Sequence, residues 1–130
     1  MNKEKKTGYC GKPCCLCTIS NCQGCKITGD IDHSRCENYR CAINRELPYC
    51  YQCVDFPCDK EAMCDVVNVG FSKFLQIFTM DELLTYLERN ERNGMLYHYL
   101  TTLKGDYHKA KTPEDVMKYI LKGSDENLLE

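Results

Sequence analysis

The chain has 130 residues, 12 cysteines and a formal net charge of −2, enough for one ordinary domain or two small lobes and too short for a large barrel. The charge is even: residues 1–64 carry nine Lys or Arg against eight Asp or Glu, and residues 65–130 carry eight against eleven. Neither half is a basic lobe, so charge-driven binding to a phosphate backbone is poorly supported.

The N-terminal stretch MNKEKKTGYC has lysines with no apolar run behind them, and no window approaches the roughly 18 apolar residues of a membrane span. The expectation is a cytoplasmic protein without a membrane segment. Thiols there stay reduced, so the cysteines read as metal ligands or redox groups before they read as a disulfide framework.

All the cysteines lie between Cys10 and Cys64, which places a composition boundary near residue 65. Apolar residues in this first half are few and aperiodic, and Gly11, Pro13, Gly24, Gly29, Pro48 and Pro57 punctuate it. So small a unit needs a staple such as a structural metal. Loops and knuckles are predicted, with helical turns around residues 36–46.

The second half is helical by pattern. Residues 61–78 read as a helix interrupted near Gly70. Thr79, with Glu82 three residues on, opens a helix over 80–93 that stops at Gly94. Met95, Leu96, Tyr99, Leu100 and Leu103 keep a helical spacing up to Gly105. Thr112 as N-cap, Pro113 in the first turn and Gly123 after Lys122 bound a last helix, and residues 124–130 read as a fraying tail. The fold class is therefore mainly α: a small metal-stabilised, irregular Cys-rich lobe over 1–64 and an α-helical bundle over 65–130 packed on it.

The cysteines fall into clusters: Cys10-x3-Cys14-x2-Cys17, Cys22-x2-Cys25, Cys36-x4-Cys41 and Cys50-x2-Cys53-x4-Cys58, with Cys15 and Cys64 outside the pattern. A two-residue spacer lets a tight turn present two sulfurs to one ion at about 2.3 Å, and two such pairs close a tetrahedral Zn²⁺ shell. The donors suffice for two zinc sites, with a third within reach. Nested and cross-braced pairings use the same ligands. The short ten-residue gap between Cys25 and Cys36 favours Cys22, Cys25, Cys36 and Cys41 as one local site, with Cys14, Cys17, Cys50 and Cys53 as the other.

The array resembles the domain-of-unknown-function 3795 family, small cysteine-rich bacterial and archaeal proteins expected to bind zinc. The resemblance rests on Tyr9-Cys10-Gly11 followed by Cys14 and Cys17, on Cys22-Gln23-Gly24-Cys25, on Cys36 and Cys41, and on Cys50, Cys53 and the DFPCDK run around Cys58. It departs from the family pattern in Thr18, where a proline is expected, and in carrying Cys15. It implies that the ten regularly spaced cysteines are the ones that matter and adds little chemistry, because the family has no assigned activity.

Other chemistries are weighed on the same residues. Cys10, Cys14 and Cys17 have the spacing of radical enzymes, whose large α/β barrel this chain cannot build. An iron-sulfur cluster for electron transfer, held by Cys10, Cys14 and Cys17 with Cys58 or Cys50, is the competing class. A thioredoxin-like pair lacks the preceding strand it needs. His33 could replace a cysteine at a catalytic zinc, although a loop histidine is the plainer reading, as helix surface is for His98 and His108. Tyr39, Tyr49, Tyr51 and Phe56 with Arg35, Arg40 and Arg45 could stack bases, but packing around the sulfurs is preferred. No nucleophile–base pair, phosphate loop or carboxylate pair stands out, so catalysis is not predicted. The expected role is zinc binding in the service of a macromolecular contact, with a protein partner ahead of nucleic acid.

Overall fold

The computed structural model describes residues 1–17, 24–26, 35–99 and 104–123. Among them are four α-helices, α1 (Glu37–Asn44), α2 (Val66–Leu75), α3 (Met80–Arg92) and α4 (Pro113–Lys122), joined by loops and short 3-10 turns, with no β-strand. The fold is mainly helical and cysteine-rich, as the sequence led us to expect.

Local chemistry sets the helix ends. Asp65 caps α2, its Oδ1 accepting from the Val67 N–H at 2.8 Å and the Asn68 N–H at 3.4 Å. Thr79 and Glu82 close a reciprocal capping box on α3, at 3.1 Å from the Glu82 N–H to Thr79 Oγ1 and 3.0 Å from the Thr79 N–H to Glu82 Oε1. On α4, Thr112 Oγ1 accepts from the Asp115 N–H at 3.1 Å, and Pro113 occupies a first-turn position whose N–H would have no helical partner.

α2 is the central element. Its sequence is apolar nearly all round, the pattern of a helix buried on several sides, and eight of its ten residues are buried. One side, through Val67, Phe71, Phe74 and Leu75, joins Leu83 and Leu87 of α3 and Val116 and Ile120 of α4 in the main core. Val69 faces a smaller cluster with Ala42, Cys50 and Met63, against which Tyr9, Cys10, Phe56 and Cys58 pack. Cys15 and Leu16 belong to the main core, so the N-terminal segment is anchored on the helices as well as on the other cysteines. Ser72 Oγ of α2 donates to the Cys10 carbonyl at 2.8 Å, and the Cys50 N–H donates to the Tyr9 carbonyl at 2.7 Å, drawing the two cysteine-bearing segments against α2.

Two expected helical features differ. α2 runs through Gly70 without a break, and the interruption falls at the Asp65 cap. Gly70 serves the α2–α4 contact: a Cβ there would collide with Val116 Cβ and lie 2.7 Å from Val116 Cγ1 and 2.9 Å from the Pro113 carbonyl. The helix expected from Met95 onward is absent over 95–99, and the rest of it lies outside the described residues. Its backbone bonds go elsewhere: the Leu96 N–H donates to Asp106 Oδ2 at 2.8 Å, the Asp106 N–H to the Leu96 carbonyl at 2.8 Å and the Tyr99 N–H to the Lys104 carbonyl at 2.9 Å. Met95 and Tyr97 are buried while Leu96 is exposed, so an alternation replaced the helical period. The tail over 124–130 also lies outside the described residues.

Candidate metal centre

Nine of the eleven described cysteines divide between two cavities, and α1 makes the division. Cys36 is its N-cap and Cys41 lies five residues on, about 140° round the helix at 3.6 residues per turn, so the two thiols point to different sides. Cys41 lines a cavity of about 20 Å³ with Cys50, Cys53 and Cys58. Cys36 lines a second, of about 480 Å³, with Cys10, Cys14, Cys17 and Cys25. This is not the pairing that loop length favoured, because helical geometry separates Cys36 from Cys41. Cys10, Cys14 and Cys17 line the larger cavity and Cys50 and Cys58 the smaller, while Cys10 also packs against the cluster that holds Cys50 and Cys58. Cys22 and His33 lie outside the described residues.

The smaller cavity is built by a 3-10 turn at Cys50–Gln52, the loop to Cys58 and the inner face of α1. Its sulfurs receive donors. Arg45 Nη1 donates to Cys53 Sγ at 2.9 Å and also to Asp55 Oδ2 at 2.9 Å. The Asp55 N–H points at the same sulfur at 3.4 Å. Asn38, 2% exposed, holds the Ala62 N–H on its Oδ1 at 3.0 Å and places its Nδ2 4.0 Å from Cys58 Sγ. N–H groups aimed at sulfur fix its orientation, as outer-shell partners do for metal ligands. Burial, opposed by the Asn38 amide, pushes the Cys50 thiol up to about 11.

The larger cavity is framed by backbone kept close to sulfur. A Cβ on Gly8 would stand 3.1 Å from Cys25 Sγ and 3.5 Å from Cys14 Sγ, and one on Gly24 would stand 3.3 Å from Cys14 Cβ. Gly24 also has φ +89°, which disfavours any side chain there. The Tyr9 N–H donates to Cys25 Sγ at 3.3 Å. Burial raises the Cys10 thiol to about 12, with Cys25, Cys14 and Cys36 adding to the rise. Burial raises the Cys25 thiol as well, so a metal entering the cavity displaces protons from Cys10 and Cys25. Lys12, Glu37, Glu61, Asp65 and Asn68 complete the lining.

The sulfurs line the walls instead of meeting at a point: among the described residues, no three His, Cys, Asp or Glu side chains stand close enough together to hold an ion. The donor chemistry nevertheless fits a thiophilic cation, with nine thiols in two clusters and N–H groups directed at three of the sulfurs.

The two irregular cysteines take other places. Cys15, 1% exposed, packs in the main core as a small apolar residue. Cys64 is exposed and points its S–H at the Asp59 and Lys60 carbonyls at 3.8 and 3.7 Å. The rings pack as expected: Tyr9 meets Tyr39 edge-on at 5.7 Å, Tyr49 stacks on Tyr51 at 5.5 Å, and Phe56 joins the smaller core. Lys26 Nζ sits 4.0 and 4.1 Å from the Tyr9 and Tyr49 ring centres, which the sequence reading did not foresee. His98 and His108 flank Tyr97 at 4.4 and 5.2 Å. Sequence reasoning also missed Asn38, Arg45 and Asn68. For Asn38 a signal existed, because its i, i+3 relation to Cys41 puts both on one helical face.

Fold and donor set together define a mainly helical, cysteine-rich protein with two thiol-lined cavities. The family model described as "Protein of unknown function (DUF3795)" matches residues 18–63, in agreement with the resemblance of the cysteine spacing. The match spans Cys22 to Cys58 and begins after Cys17. No curated protein and no solved structure matches the chain. Among the described residues no helix is long and apolar enough to cross a membrane.

Proposed function

We propose that this chain is a zinc-binding module in which thiolate-ligated ions hold the cysteine-rich lobe in a single shape, which in turn presents a surface to a macromolecular partner. The observation that carries the reading is the cavity of about 20 Å³ lined by Cys41, Cys50, Cys53 and Cys58. Four thiols lining one small cavity supply the donor set of a closed tetrahedral structural site. Each such site contributes on the order of 10–16 kcal/mol of apparent binding energy, more than the four-residue cluster of Ala42, Cys50, Met63 and Val69 can supply. Arg45 and the Asp55 N–H hold Cys53 Sγ in place, and Asn38 keeps α1 and the Cys50–Cys58 loop in register.

A contact role is supported by exposed apolar side chains around that site. Val54, next to Cys53, is 96% exposed and Ile43 on α1 is 48% exposed. With a net charge of −2, a protein is preferred to nucleic acid as partner. Elemental analysis with an absorption spectrum, on protein purified without air or added metal, tests the reading. Zinc with no visible absorption is expected, and broad visible bands that bleach with dithionite would refute it in favour of an iron-sulfur redox protein. Chelation should loosen the cysteine-rich segments before α2–α4, read by hydrogen exchange, and should abolish capture of a partner. Partners retained after metal removal would contradict the contact role.

A further inference from the structure

We propose that the cavity lined by Cys10, Cys14, Cys17, Cys25 and Cys36 holds a binuclear zinc–thiolate centre, two ions sharing cysteine sulfurs, whereas the Cys41, Cys50, Cys53 and Cys58 cavity holds one ion. The proposal rests on the zinc reading above and deepens it.

Four observations carry it. A closed tetrahedral zinc takes four ligands, and five described cysteines line this one cavity, so a single ion leaves a sulfur unused. The space is about 480 Å³ against about 20 Å³ at the other cavity, many times the roughly 30 Å³ share of one water molecule. Two of the sulfurs are neighbours: Cys14 Sγ and Cys25 Sγ both crowd the position where Gly8 would carry a Cβ, at 3.5 and 3.1 Å, and the others must close on the ions as they bind. Two tetrahedral ions sharing two sulfurs need six donors, of which the five described cysteines supply five. Asn68 lines the cavity, is 7% exposed, and its Oδ1 has no hydrogen-bond partner. Its orientation is set by Nδ2, which donates to the Ala62 carbonyl at 3.1 Å.

Charge points the same way. Five thiolates around one Zn²⁺ leave three negative charges, in a wall whose described residues already include Glu37, Glu61 and Asp65 against Lys12. A second Zn²⁺ reduces the excess to one. The second ion therefore lowers the repulsion among the sulfurs as well as using the fifth of them.

The test counts and couples ions in the full chain, purified reduced from zinc-replete medium. Native mass spectrometry is expected to show three zinc ions per chain, the paired Cys53→Ser, Cys58→Ser variant two, and Cys14→Ser the loss of both ions of the larger cavity together. Because Cys14→Ser could fail to fold, the wild-type chain is also loaded with ¹¹³Cd. Two of its resonances should then couple through the β-protons of a shared cysteine. Two zinc ions per chain, one removed by each variant, would overturn the binuclear centre and leave the zinc reading standing. Three uncoupled ¹¹³Cd resonances, or iron with labile sulfide in the larger cavity, would overturn it too. Absence of zinc from both cavities would instead sink the reading beneath it.

Discussion

Gly70 offers the sharpest test of how the helices meet. As a helix breaker, Gly70 replaced by alanine would gain about 1 kcal/mol of helix propensity. As the seat of α4, it would lose more than it gains. The new Cβ meets Val116 Cβ and the Pro113 carbonyl oxygen, atoms fixed to the α4 backbone that no rotamer change can move. Overpacking costs about 1–3 kcal/mol, and with the backbone engaged the upper end applies, which leaves a net loss of about 2 kcal/mol. For a chain of this length that lowers the melting temperature by roughly 8 °C. Urea denaturation followed by far-UV circular dichroism, at fixed excess zinc so that metal linkage is constant, reads the change. Adding Val116→Ala should not rescue the variant, because alanine keeps the offending Cβ. A Gly70→Ala protein as stable as the parent would refute the packing argument and restore the helix-break reading.

Asn90, 1% exposed, donates from Nδ2 to Tyr107 Oη at 3.1 Å and to the Tyr119 and Ile120 carbonyls, both at 3.2 Å, at the end of α4. Asn90→Ala should lower unfolding free energy by about 2–3 kcal/mol, and Tyr107→Phe by about 1 kcal/mol, measured by denaturant titration; a loss under about 0.5 kcal/mol for the first would contradict the capping role. Arg45→Met should weaken zinc at the smaller cavity by about tenfold, the low end for an outer-shell partner because Arg45 is half-exposed, read by competition with a chromophoric chelator. His108, whose pKa is lowered by burial and by His98, Lys104 and Lys12 against the pull of Asp65, accepts the Gly105 N–H on Nδ1 at 3.0 Å. Since the unfolded chain binds that proton more readily, His108 favours folding above its ordinary pKa near 6.5 and opposes it increasingly as pH falls below. His108→Gln should therefore lose less stability than the parent between about pH 7 and 5, and parallel pH profiles would count against it.

What was legible in the sequence was local. Thr79 with Glu82 and Thr112 with Pro113 announce helix starts because a cap needs only its own first turn. Cysteine spacing disclosed the donor chemistry and the resemblance to the family model for the same reason, since a knuckle is written in consecutive residues. Only the tertiary structure decided which thiols share a cavity. Five residues of α1 rotate Cys41 away from Cys36, a geometric fact that outweighs the entropy of a short loop. It also decided that Gly70 is a point of helix contact, that Cys15 is core, and that Met95 to Tyr99 leave the helical period for bonds to Lys104 and Asp106. In each case a partner distant along the chain satisfies the backbone or excludes the side chain, and periodicity within a segment carries no record of it.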